Sequence, residues 1–129
     1  MPRIAVKETY EDARVIIKEG NHGDGTYVIL SGAVDVTRSV EGKKVLLARL
    51  EKGDIFGELS YIDREPRTAT VTAVGNVQIG LLDKNMLDTE INKMSEEFRG
   101  VITTLVKKIK ELNMRYVEMT IENIKLKSK

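Results

Sequence analysis

A chain of 129 residues is the length of one domain, and 21 basic against 20 acidic side chains leave a net charge of +1, too little to draw it onto nucleic acid or a membrane surface. The lack of cysteine excludes a disulfide framework and a thiolate metal site, and makes the reducing cytoplasm the simplest expected compartment. Met1-Pro2-Arg3-Ile4 lacks the apolar core of a signal peptide, and no apolar run approaches the roughly 18–20 residues of a membrane span.

From Arg3 to about Leu82 short β-type runs alternate with glycine- or charge-bearing turns at spacings of about 8–12 residues, the pattern of a sandwich or barrel. Arg3–Lys7 and Ala13–Lys18 read as the first strands, the second rich in β-branched side chains through Val15, Ile16 and Ile17. Gly20 to Gly25 is a glycine-dense turn. Tyr27 to Val36 is extended, with a bend at Ser31-Gly32, because glycine inside a strand marks a bulge or a barrel corner. Glu41-Gly42-Lys43 reads as a hairpin turn into Lys44–Leu50, and Lys52-Gly53-Asp54 as the next turn. Two further strands, Thr68–Ala73 and Val77–Leu82, complete the β part.

The stretch Phe56 to Ala73, F-G-E-L-S-Y-I-D-R-E-P-R-T-A-T-V-T-A, carries the chemistry. Gly57 allows a sharp turn after a strand ending near Phe56, and Glu58 to Ile62 has the composition of one short helical turn, whose first N–H groups are free to meet an anion. Pro66 ends that turn, and Arg67 points back from the start of the next strand. A guanidinium offers paired N–H bonds to a phosphate, while an ionised Glu58 only accepts and so asks for a donor such as a sugar hydroxyl. A phosphate joined to a sugar satisfies both. The competing reading is a surface Arg67–Glu58 ion pair in an ordinary turn.

This segment resembles the phosphate-binding cassette of the cyclic nucleotide-binding domain family, F-G-E-L followed after a short variable stretch by P-R-T-A-x-V. Phe56, Gly57, Glu58 and Leu59 match its first half, and Pro66, Arg67, Thr68, Ala69 and Val71 its second. Ser60 fits the small residue usual after this leucine, and Tyr61 stands where an aliphatic is more usual, which implies a changed lining beside the sugar. The resemblance extends over roughly residues 8–112 and takes in the Glu19–Asp24 run and Ser31-Gly32. It implies a β-jelly-roll (double-stranded β-helix) barrel over residues 1–82, with the cassette at 56–73. Arg67 would hold the cyclic phosphate of cyclic AMP or cyclic GMP, and Glu58 the ribose 2′-hydroxyl. Phe56, Gly57, Leu59, Ser60, Thr68 and Ala69 complete the expected ligand contacts. A threonine in the place of Thr68 accompanies cyclic GMP use in some members and occurs in cyclic AMP binders too, so both nucleotides stand.

From Asp83 the pattern turns helical, over 83–129, read as part of the same domain. Asp83-Lys84-Asn85 caps a short helix to about Asn92, and Ser95-Glu96-Glu97 opens a long one. Phe98, Ile102, Leu105, Ile109, Leu112, Tyr116 and Met119 recur at alternating steps of four and three, a heptad seam that weakens at Asn123 and Leu126 toward the basic end Lys125–Lys129. The first half, Phe98 to Leu105, is expected to pack on its own domain and the second to project beyond it. Bacterial regulators of the family imply a parallel homodimer through 98–124, with the helix also closing over the base. By register from the cassette, Leu112 and Asn113 fall near that base, where Asn113 either hydrogen-bonds a purine edge or is simply an exposed helical asparagine.

The expected function is a cyclic nucleotide-binding regulatory domain of signal transduction that answers through its C-terminal helix. The alternative is a dimerising jelly-roll scaffold without ligand. An enzyme is not expected: His22 is the single histidine, too few for a metal-dependent cupin, and no second acid stands near Glu58 for hydrolysis. The few residues beyond Leu126 do not fit a helix-turn-helix domain, so no separate DNA-binding domain and no direct DNA binding are expected. No cofactor, metal or membrane partner is expected either.

Overall fold

The computed structural model describes residues 3–127, so Ser128 and Lys129 of the basic end lie outside the described residues. Strands β1 (Ile4–Tyr10), β2 (Val15–Ile17), β3 (Tyr27–Val40), β4 (Lys43–Glu51) and β5 (Ile55–Phe56) precede a short helix, α1 (Glu58–Asp63). Strand β6 (Thr70–Leu82) then leads into α2 (Lys84–Asn92) and the long α3 (Glu96–Lys127). Every pairing is antiparallel: the sheet runs β1-β6-β3-β4, with β2 also on β6 and β5 also on β3. The fold is thus mainly antiparallel β with a long C-terminal helix. Among the described residues no ladder joins β4 to β1, so the hydrogen-bonded sheet rolls without closing into the expected barrel.

What rolls the sheet is a shared bend in its two longest strands. Ser31 pairs with Gln78 and Ala33 with Val74, so β6 carries extra residues across the bend. Gly32 sits at φ +86, where a Cβ would stand 2.5 Å from the Asn76 carbonyl oxygen; only glycine fits. The bend lets both halves of each strand face one core, in which Ile29 and Val34 of β3 meet Val71, Ala73, Val77 and Ile79 of β6, with Ile17 and Phe56. The two final strands read from the sequence are therefore a single strand. Gly75-Asn76 is a bulge inside it and not a turn, because the ladder to β3 resumes on both sides. The β3–β4 hairpin closes on Glu41 and Gly42, both with positive φ, as a two-residue turn of this kind requires.

Asp83 caps α2 by accepting from the Asn85 and Met86 N–H groups, and the Ser95 hydroxyl oxygen accepts from the Phe98 N–H at the start of α3. The long helix packs in the reverse of the expected order. Phe98 and Leu105 are each 50% exposed, whereas Val106, Val117 and Ile121 are buried, the last two against Val45 with Val40 and Leu47 beside them. Four of the seven seam residues are followed at once by one that is buried or half-buried: Leu105 by Val106, Ile109 by Lys110, Leu112 by Asn113, Tyr116 by Val117. Successive helical side chains differ by about 100°, so α3 carries two adjoining stripes, and the inward one is not the heptad seam.

Candidate ligand-binding site

The site is built where β5, α1 and the loop before β6 meet the loop between β2 and β3. Phe56 ends β5 buried, its ring stacked on Tyr27 at 5.2 Å between centroids. Gly57 then turns the chain at φ 86, and a Cβ there would lie 2.5 Å from the Gly25 carbonyl oxygen. Helix α1 lasts six residues and stops at Arg64, whose left-handed backbone lets its N–H donate to the Ser60 carbonyl.

Arg67 is stitched to both neighbouring loops. Its N–H donates to the Asn21 carbonyl at 2.9 Å and its own carbonyl accepts from Gly20 at 2.7 Å. Its side chain, in a residue only 8% exposed, donates from Nη1 to the Gly57 carbonyl and from Nη2 to the Gly25 carbonyl, at 2.8 and 2.9 Å. A guanidinium has five N–H donors, so most of the fork remains for a ligand. Burial lowers the pKa of Arg67, while Tyr27, Asp24 and Glu58 pull the other way; a guanidinium so placed stays a cation.

All nine residues singled out by the sequence, Phe56, Gly57, Glu58, Leu59, Ser60, Arg67, Thr68, Ala69 and Asn113, line one cavity of about 250 Å³. Among the described residues no ion pair joins Glu58 to Arg67, so the reading as a surface pair in a turn is not made. Burial pushes the Glu58 carboxyl above its ordinary value, against its own backbone N–H and the Arg67 charge, which hold it down. Among the described residues the Ala69 N–H has no backbone or side-chain acceptor. Val36, Leu47, Ala48, Leu50 and Ile109 supply an apolar wall that the motif did not announce.

Three expectations shift. Ile109, counted on the outward seam, also lines the cavity, whereas Leu112, expected near a base, is 61% exposed and off its wall. Tyr61 does not line the cavity. It is buried on the other side of α1, where its hydroxyl donates to Asp88 at 2.7 Å and the Arg64 guanidinium lies 5.1 Å over its ring. Burial and the Asp88 carboxylate push the Tyr61 hydroxyl up to about 12. Asp63 of α1 also pairs with Lys110 of α3, both largely buried, so the cassette touches α2 through one face and α3 through another.

The cavity thus offers a fixed cation, free N–H donors, an accepting carboxylate and an apolar slot with one amide, Asn113. That set suits an anion carrying hydroxyls and a flat, largely apolar ring. Among the described residues no cluster of three or more histidine, cysteine or acidic side chains is placed to hold a metal, and no helix is long and apolar enough to cross a membrane.

Known proteins give the arrangement a lineage. The regulatory subunit of cAMP-dependent protein kinase from Mucor circinelloides f. lusitanicus is 34% identical over 101 residues, 72% of this chain and 23% of that protein. The CRP-like cAMP-activated global transcriptional regulator of Mycobacterium tuberculosis is 28% identical over 110 residues, 84% of this chain and 49% of its own length. The chain therefore spans between about a quarter and a half of these relatives. Among solved structures, the EAL enzyme Bd1971 in its cAMP and cyclic-di-GMP bound form superposes with a TM-score of 0.80 at 25% identity, over 96% of this chain and 32% of that one. Its cGMP bound form gives 0.77, at 25% identity over 81% of this chain and 28% of that one. The profile of the cyclic nucleotide-binding domain family matches residues 7–93. With that match running from β1 through the cassette to the end of α2, the chain belongs to the cyclic nucleotide-binding domain family.

Proposed function

We propose that this domain is a non-enzymatic sensor that binds cyclic AMP or cyclic GMP in the cavity between the cassette and α3. The cyclic phosphate is held by the Arg67 guanidinium with the N–H groups of Ala69 and of the first turn of α1. The ribose 2′-hydroxyl donates to Glu58, and the base lies in the apolar slot, with the Asn113 amide at its edge. Phe56, Gly57, Leu59, Ser60 and Thr68 shape the wall. The observation that carries this reading is the buried Arg67, fixed by two carbonyls yet left with unused donors on a cavity lined by every motif residue except Pro66. Relatives and structural neighbours described with cAMP or cGMP support the same ligand class.

The response runs through α3, and residues 83–127 act as one functional unit with the β-roll, in the cytoplasm. The outward stripe supports a parallel homodimer: Leu112, Tyr116 and Met119 are 61%, 52% and 65% exposed along one face of a 32-residue helix. Titration calorimetry with both nucleotides tests the sensor. One ligand per chain is expected, lost in Arg67→Ala, and heat that survives that substitution removes the phosphate from Arg67. Sedimentation tests the dimer: Leu112→Glu with Met119→Glu halves the mass if the stripe is the interface, and an unchanged mass rules it out.

A further inference from the structure

Behind the cassette strand, on the side away from the cavity wall formed by Ala69, lies a polar hollow that shares Arg67 and Thr68 with the cavity and is otherwise lined by Glu19, Arg38, Glu65 and Lys110 among others. Arg38 belongs to β3 and is no part of the motif. Its Nη1 donates to the Thr68 carbonyl at 3.1 Å, and among the described residues its buried Nε has no hydrogen-bond partner. Two of the three acids lining the hollow are engaged elsewhere. Glu19 accepts from the Ser39 N–H and the Thr70 hydroxyl, Asp63 pairs with Lys110, and among the described residues no carboxylate lies within 4.0 Å of Arg38. A largely shielded guanidinium thus spends its one protein hydrogen bond on the backbone atom that follows Arg67.

We infer that Arg38 is a positioning residue of the phosphate site. In a trans peptide the C=O and the next N–H point in opposite directions, and there are no cis peptides among the described residues. Holding the Thr68 oxygen toward Arg38 therefore turns the Ala69 N–H toward the cavity, where it has no other acceptor. Thr68 and Ala69 precede β6, so no ladder bond fixes that peptide plane. Arg38 fixes it instead, and its charge, with no carboxylate partner, favours an anion on the far side of the same segment.

This inference rests on the phosphate reading of the cavity, and the test separates the two. Cyclic AMP and cyclic GMP are titrated into the wild-type chain and the Arg38→Ala, Arg38→Lys and Arg67→Ala variants, and the Ala69 amide is followed by ¹H–¹⁵N NMR. Arg38→Ala is expected to weaken binding by about tenfold, a charge-assisted hydrogen bond removed at one step from the ligand. The downfield shift of the Ala69 amide proton on ligand addition shrinks with it, and Arg38→Lys, which can still reach the Thr68 oxygen, recovers part of both. If Arg38→Ala does not fold, Arg38→Met, which keeps the buried stem, is read in its place. Affinity within about twofold of wild type overturns the role of Arg38, as does a loss of affinity that leaves the Ala69 shift intact. Binding that survives Arg67→Ala overturns the phosphate reading itself, whatever Arg38 does.

Discussion

The cassette and the long helix are attached to the protein in different ways. Arg67 reaches two backbone carbonyls from two loops, with its own N–H and C=O bonded to a third point, all at 2.7–2.9 Å. Backbone acceptors cannot rotate away, so this geometry is set before any ligand arrives. Helix α3 has one bond of this kind, from the Arg99 guanidinium to the Ile91 carbonyl of α2 at 3.1 Å. Its other attachments to the roll include the burial of Val106, Val117 and Ile121 and two side-chain ion pairs, Lys110 with Asp63 and Lys125 with Glu41. The cassette is fixed largely by backbone acceptors, and α3 is docked mainly by a few side-chain contacts.

Arg67→Ala attacks the stitched side and carries the largest expected effect. It removes the phosphate's cation and two internal charge-assisted bonds of about 1.5–3 kcal/mol each, so nucleotide affinity falls at least about 100-fold and the melting temperature drops as well. A variant that loses affinity with no loss of stability would mean that the stitching is incidental. Ile121→Ala attacks the docked side. It is expected to cost about 2–5 kcal/mol in chemical denaturation while affinity for nucleotide stays close to wild type. A parallel fall in affinity would merge the two regions into one. Gly57→Ala places a methyl group against the Gly25 carbonyl at positive φ, and a loss of about 1–3 kcal/mol is expected by the same measurement. Tyr61→Phe removes the Asp88 bond between α1 and α2, at about 1–2 kcal/mol, and leaves the cavity lining untouched.

The smallest effect is the pH dependence of Glu58. Its folded pKa is raised by burial, so the ionised form that a hydroxyl can donate to is lost as pH falls through a window above the ordinary 4.5. Over that window the free domain binds the extra proton and gains stability as pH falls, whereas nucleotide affinity declines; Glu58→Gln abolishes both slopes. Asp88 moves oppositely. Tyr61 and Lys84 hold its pKa below 3.8, so its contribution to folding is present above 3.8 and lost only in stronger acid.

Much of this site was legible because its chemistry is local. Gly57, Glu58, Pro66 and Arg67 act through turn geometry and charge that neighbouring residues determine, and the Glu41-Gly42 hairpin turn is readable for the same reason. The apolar wall was not legible. Val36, Leu47, Ala48 and Leu50 are ordinary strand residues, and which of them faces the ligand depends on a register shift in the β3–β4 ladder after Val36. Helix α3 misled for a related reason. Two apolar stripes about 100° apart both satisfy helical spacing, and only packing against Val40, Val45 and Leu47 selects the inward one. Tyr61 turned away because Asp88 and Arg64, distant or unremarkable in sequence, offered its hydroxyl and ring better partners than the cavity.

The position of β6 in the sheet also sets a schedule. Among the described residues β1 and β2 pair only with β6, Tyr10 with Val77 and Val15 with Thr72, so these early strands wait for a later one. At typical translation rates that wait is roughly 3–13 s, long beside the microseconds in which an isolated hairpin forms. Contacts this distant in sequence also slow refolding of the finished chain. Until β6 is complete, a nascent chain has no cavity for a nucleotide, and the ligand can stabilise the fold by mass action only after synthesis has passed it.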